Sequence, residues 1–291
     1  MSPAPQTISF LSDFGTDDES VGVVKSVIRS IAPDASVIDL THGIPAHDVR
    51  AGSLALARAV QYVAPGVILA VVDPGVGTER RAVAVEVAEG LGTFVGPDNG
   101  LLASAVAMAG GATRAVHLND PEYHLEAPGM TFAGRDVFAP VAAHLCAGVD
   151  LDDIGEAIDP AGLLPGTLPL SREEDGRLVA EVLWVDRYGN LQLNLDPDEV
   201  IPFGERITLR ADDMVRTAGW ASTYDVIRPG EVGLVIDAYG LVSLCMARHP
   251  ASSELGLDTG DAVTLESAGD AVGIEQPVSL GLRRPHPGEP T

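Results

Sequence analysis

Lysine is almost absent. Lys25 is the only one, and lysine and arginine together number 18 against 42 aspartates and glutamates, a formal net charge of −24 at pH 7. A surface this acidic repels phosphate backbones and anionic headgroups, which argues against nucleic-acid and membrane-surface partners. Cysteine is scarce too: Cys146 and Cys245 each sit in an apolar run, with no short spacing to join them. They read as buried reduced thiols rather than as a metal pair. The longest strongly apolar run, 67–72, is far short of the roughly 20 residues that a membrane span needs. Met1-Ser-Pro-Ala-Pro-Gln has neither the basic nor the apolar region of a secretory signal, so the expected location is the cytoplasm. Metal-ligand spacing is missing among the seven histidines: His42 and His47 lie five apart, His117 and His124 seven apart. No Gly-x-Ser-x-Gly elbow occurs, which weighs against an esterase.

What remains is an ordinary globular composition, 46% apolar and 21% charged over 291 residues, enough for one large domain or two modest ones. The first half alternates strand-like and helix-like segments. Strands are expected at 7–11, 36–40, 67–72, 82–87 and 93–95. Helices are expected at 17–31 (with Thr16 as N-cap), 48–62, 101–109 and 137–147. This pattern predicts a layered α/β domain over 1–158 with a mostly parallel central sheet, its 67–72 strand buried on both faces. A Pro/Gly-punctuated linker, 159–170, leads into short alternating runs at 178–185, 191–195, 206–209, 233–236, 241–246 and 262–266. These suit a small β-barrel or sandwich over 171–291, with a disordered tail from about 284.

Four segments carry residues suited to chemistry. Ser12-Asp13-Phe14-Gly15-Thr16 sits where a strand meets a helix, and a carboxylate there can hold ribose hydroxyls or simply stabilise a tight turn. Asp73-Pro-Gly-Val-Gly-Thr-Glu-Arg80 follows the most apolar strand. Its glycines admit close backbone approach, and its carboxylate and guanidinium can form a polarised pair or a plain surface ion pair. It is neither a Walker loop nor a dinucleotide fingerprint. Thr131-Phe-Ala-Gly-Arg-Asp136 opens a helix, and Val185-Asp-Arg-Tyr-Gly-Asn190 has the chemistry of a hairpin turn.

Together with Gly96-Pro-Asp-Asn-Gly-Leu-Leu102, these motifs resemble the S-adenosylmethionine (SAM) hydroxide adenosyltransferases, adenosine-forming SAM hydrolases related to the SAM-dependent fluorinase and chlorinase. The resemblance implies an N-terminal α/β domain and a C-terminal β-barrel. It implies a homotrimer with active sites between the N-domain of one subunit and the C-domain of the next. The implied reaction is in-line displacement at C5′ of SAM by water, releasing adenosine and methionine, with no metal or further cofactor. By the same resemblance Asp13 holds the ribose hydroxyls, and Asp18 and Ser20 lie near the substrate. Asp73 and Arg80 orient and activate water. Asp186 binds the methionine amino group and Asn190 reads adenine. Phe132 and Tyr188, from the same motifs, join them at the substrate, and Ala238 and Tyr239 stand at the methionine carboxylate. Asp73 stands where the halogenases carry Tyr, which points away from halide chemistry, and Gly134 matches the hydrolase and chlorinase glycine, where the fluorinase has a halide-contacting Ser.

Two positions depart from the family pattern. Ala133 stands where the hydrolases carry His, the third member of an Asp/Arg/His set, and an Asn is missing near Ala247. The expectation is SAM binding with slowed hydrolysis. His47, His117 and His124 are the histidines able to stand in, and spacing selects none of them. A non-catalytic SAM- or adenosine-binding protein is the alternative, and a SAM-dependent halogenase a more distant one.

Overall fold

The computed structural model describes residues 7–87 and 92–268, so the expected tail lies outside the described residues. The chain divides into two compact units between Pro169 and Leu170. In the first, a sheet is built from β1 (Thr7–Ser12), β2 (Ser36–Thr41), β3 (Gly66–Val71), β4 (Ala82–Val87), β5 (Gly92–Pro97), β6 (Ala112–His117) and β7 (Glu156–Ile158), in the order β2-β1-β3-β5-β4-β6-β7. Parallel pairing joins β2, β1, β3 and β5. Antiparallel pairing adds β4, β6 and β7, so β6 again runs with the parallel set. Every residue of β3 is buried, as its unbroken apolar run predicts for a strand covered on both faces.

Four helices cover the sheet: α1 (Ser20–Ile31), α2 (Val49–Val60), α3 (Ala103–Met108) and α4 (Ala139–Cys146). Side chains alternate across the sheet, so Phe10, Leu69 and Val71 meet Val24 and Ile28 of α1 and Val141 of α4. Leu11, Ile68 and Ala70 meet Leu56 and Val60 of α2 and Ala105 of α3 on the other face.

Two helix starts differ from expectation. Thr16 does not cap α1. Gly15, at φ 70, donates its N–H to His42 O at 2.8 Å, so residues 14–19 are used in bridging to β2 and the helix begins at Ser20. Ahead of α4, Gly134–Phe138 forms a wide π-turn, in which the Ala139 N–H reaches Gly134 O. Pro140 is the cause, since it has no N–H to give the Asp136 carbonyl. The Leu125 N–H takes that carbonyl instead, at 2.9 Å.

The second unit holds β8 (Arg172–Glu174), β9 (Arg177–Val185), β10 (Leu191–Leu193), β11 (Arg206–Ala211), β12 (Met214–Trp220), β13 (Val232–Ile236), β14 (Val242–Met246) and β15 (Ala262–Ser267). The order β9-β10-β14-β13-β12-β11-β15 closes back on β9, making a barrel rather than a sandwich, with β8 attached at β9. Leu178, Val182, Leu191, Leu234, Leu244 and Leu265 fill it. Pairing is antiparallel except between β12 and β13.

Candidate active site

The chain leaves β1 for β2 on one side and returns to β3 on the other. Such a switch point opens a crevice at the carboxyl ends of the strands. Asp13 follows β1 there, and Asp73 stands two residues beyond β3. Asp13 Oδ2 accepts the His47 N–H at 2.9 Å, and His47 sits at φ 68, a left-handed backbone that a non-glycine residue adopts at a cost of about 1 kcal/mol. Beneath this loop the Ser12 hydroxyl lies 2.8 Å from His42 Nδ1, and His42 Nε2 lies 3.1 Å from Asp39. Ser12 is fully buried, so this Ser–His–Asp row braces the loop and exposes no nucleophile.

The loop after β3 folds back on itself. Arg80 Nε donates to Asp73 Oδ1 at 3.0 Å and Nη2 to Oδ2 at 2.5 Å, with the two side chains 12% and 5% exposed. This is a bidentate pair, not a loose surface contact. The Arg80 guanidinium stands 5.3 Å from the centre of the Phe138 ring. Burial pushes the Asp73 carboxyl above its ordinary range, Arg80 pulls it back, and the charge of Asp13 adds to the upward push. The neighbouring Arg81 does a different job. It pairs with buried Asp98 and donates to Gly162 O at 2.6 Å, holding the 159–164 segment on the first unit.

A cavity of about 280 Å³ is lined by Asp13, Asp18, Ser20, Asp73, Phe132 and Gly134, so six of the expected residues share one crevice. Phe14, Ala46 and His47 also line it; Phe14 belongs to the 12–16 motif without an expected role, and no sequence pattern singled out Ala46. Arg80 faces the other way, into a cavity of about 370 Å³ that also holds His117 and His124. Ala133 borders both, so Ala133 and the Asp73–Arg80 pair form the wall between them. Phe132 packs edge-on against Phe14 at 5.6 Å and lies under the Arg135 guanidinium at 5.1 Å.

The remaining expected residues belong to the barrel unit. Asp186 Oδ1 accepts the N–H groups of Tyr188 and Asn190 at 2.8 and 2.9 Å, and Oδ2 accepts Asn190 Nδ2 at 2.8 Å. Asp186 therefore builds its own hairpin, as Tyr-Gly-Asn chemistry allows. Ala238 and Tyr239 lie in the turn from β13 to β14, where Asp237 accepts the Tyr239 N–H at 2.8 Å and Gln192 Nε2 at 2.6 Å. Both acids act on one neighbour: burial, then Asp186 and Asp237, push the Cys245 thiol up to about 12. A larger cavity of about 450 Å³ in this unit, beside Glu173, Glu199 and Phe203, contains none of the expected residues.

The fold is thus a doubly wound α/β unit with a carboxylate-lined crevice at its switch point, followed in the chain by a closed β-barrel unit. The chain belongs to the SAM hydroxide adenosyltransferase family, with residues 8–155 matching the family's N-terminal domain and 180–264 its C-terminal domain. It is 41% identical over 261 residues to the (R)-S-adenosyl-L-methionine hydrolase of Salinispora tropica, covering 90% of this chain and 97% of that protein. The hydrolase of Thermus thermophilus is 38% identical, covering 89% and 98%. A fluorinase from an Actinoplanes species is more distant, 24% identical over 90% of this chain and 97% of its own. Among solved structures, an uncharacterized conserved protein from Thermotoga maritima superposes with a TM-score of 0.82 at 32% identity, covering 89% of this chain and 99% of that one.

Proposed function

We propose that this chain hydrolyses S-adenosylmethionine to adenosine and methionine. The observation that carries the reading is the buried bidentate Asp73–Arg80 pair in the wall of the Asp13 crevice. It is supported by 41% identity to a protein named for that hydrolysis. In the step itself the C5′–O bond forms as C5′–S breaks. Sulfur keeps the electron pair as the thioether of methionine, and the attacking water gives up a proton. A sulfonium leaves readily, so placing and polarising water is the main demand, one that needs no metal or further cofactor.

Asp13 takes the ribose hydroxyls, Asp73 and Arg80 the water, and Asp18, Ser20, Phe132 and Gly134 the walls around them. Asp186, Asn190, Tyr188, Ala238 and Tyr239 take the methionine and adenine ends in a homotrimer, where the barrel of one subunit completes the crevice of the next. The exposed rings of Tyr188 and Tyr239 support such a contact surface. Two free, buried thiols fit the reducing cytoplasm. A fluorinase-like Ser is disfavoured at Gly134, where a Cβ would fall 2.7 Å from Phe14 Cζ and the Phe14 ring would have to move.

Incubation with SAM followed by chromatography tests the reading: adenosine and methionine are expected. Tight binding without product would establish the non-catalytic alternative, which Ala133 alone favours. A halogenated nucleoside formed only with chloride or fluoride would establish the halogenase.

A further inference from the structure

Arg80 Nη1 and His124 Nε2 are buried and make no hydrogen bond. Both residues line the cavity of about 370 Å³ behind Ala133. Buried polar nitrogens are nearly always satisfied, by protein or by held water. These two are complementary, because a guanidinium only donates and a neutral imidazole offers one nitrogen as acceptor. On the basis of the hydrolase reading above, we propose that this cavity holds a water bridging Arg80 Nη1 and His124 Nε2, and that His124 takes through it the proton released when water attacks C5′.

The fold brings His124 to this place. Pro140 leaves the Asp136 carbonyl to the Leu125 N–H, which ties the loop carrying His124 to the π-turn beside Ala133. Each Asp73 oxygen accepts one Arg80 N–H and keeps a lone pair for the attacking water, so the pair holds that water while His124 receives its proton. Among the residues lining the two cavities, Ala133 alone borders both, so the proposed proton path passes beside its methyl group. The proton balance is simple. The attacking water passes a proton to the bridging water as that water gives one to Nε2, leaving an imidazolium. Arg80, His117 and Asp136 face His124 across the cavity, and Asp120 lies nearby in its own loop. Burial holds His124 below the ordinary histidine range against the pull of Asp120, which favours the neutral, proton-accepting imidazole.

The test compares kcat and KM for SAM across pH in the parent chain, His124→Ala, His124→Gln and His117→Ala. Both His124 variants are expected to lose about 10²-fold or more in kcat with KM unchanged and the acid limb of the profile gone, while His117→Ala keeps its rate. Gln can hold the water but cannot take the proton. Ala133→His should add little to the parent yet restore the His124→Ala variant. Parent-like kcat and pH profile in His124→Ala overturns the proposal, and so does full rescue by Gln. A second readout needs no turnover: in ¹⁵N-histidine NMR of the unliganded chain, Arg80→Gln should raise the His124 pKa. Indifference of that titration to Arg80 overturns the shared site. If the parent makes no adenosine while the coupling is present, the hydrolase reading and the proton transfer fail together and only the water site stands.

Discussion

Asp73 and Arg80 lie almost wholly out of water, so each is stable there only because of the other. Arg80→Ala leaves a buried carboxylate alone, which typically costs about 3–5 kcal/mol. Denaturant unfolding should show that loss; a change below about 1 kcal/mol would mean that solvent reaches the pair. Asp13 is more open and keeps acceptor capacity beyond its bond to the His47 N–H. Charge-assisted bonds to ribose hydroxyls contribute roughly 1.5–3 kcal/mol each, so Asp13→Ala should weaken SAM binding at least about tenfold by calorimetry. Unchanged affinity would remove Asp13 from the site. The sequence marked these residues as acids and an arginine beside glycines at strand ends but left a tight turn or a surface ion pair open; their expected roles came from the family resemblance, and the structure adds that Asp73 and Arg80 are buried together. His124 was not singled out, because its place depends on Pro140 sixteen residues later and on a carbonyl that no spacing reveals.

At the level of elements, α2 shows how local chemistry sets a boundary. Asp48 accepts the Ala51 N–H at 2.8 Å and caps the helix. Asp48→Ala should cost about 1 kcal/mol in unfolding free energy, and no measurable loss would mean that water replaces the cap freely. β3 was legible because an apolar run of that length has only buried positions to occupy. β12, by contrast, was missed: Met214-Val-Arg-Thr-Ala-Gly-Trp220 is largely exposed and carries none of the alternation that marks a half-buried strand. β6 and the three-residue β7 were missed for a related reason, since their register comes from the strands they pair with, β4 for β6 and β6 for β7, rather than from their own pattern. Thr16 looked like a cap by type, but the Gly15 bond to His42 O holds its stretch outside the helix.

For the molecule as a whole, stability should depend on pH through histidines that fold uncharged. Burial lowers the pKa of His124 and of His144. Unfolded chain then takes up protons near pH 6.5 while the folded chain does not, so this contribution is present above about pH 6.5 and is lost as pH falls below it. Relief of the −24 net charge works in the opposite direction on acidification, so the effect is read as a difference between proteins. The His124→Gln/His144→Gln double variant should lose less Tm than the parent between about pH 7 and 5. Equal losses would mean that neither imidazole is held neutral by the fold. The two-unit plan was legible from the change of texture near Asp159; the strand pattern left barrel or sandwich open, the family resemblance implied the barrel, and its closure rests on β9 pairing with both β10 and β15.

The central claim, that water is the nucleophile at C5′ of SAM in the crevice lined by Asp13 and Asp73, is tested most directly by a single turnover in H₂¹⁸O with enzyme in excess. The account predicts adenosine carrying ¹⁸O at its 5′-oxygen and methionine carrying none, with both products lost in Asp73→Asn. SAM recovered intact from a stable complex, or ¹⁸O-adenosine formed equally well by Asp73→Asn, would contradict it.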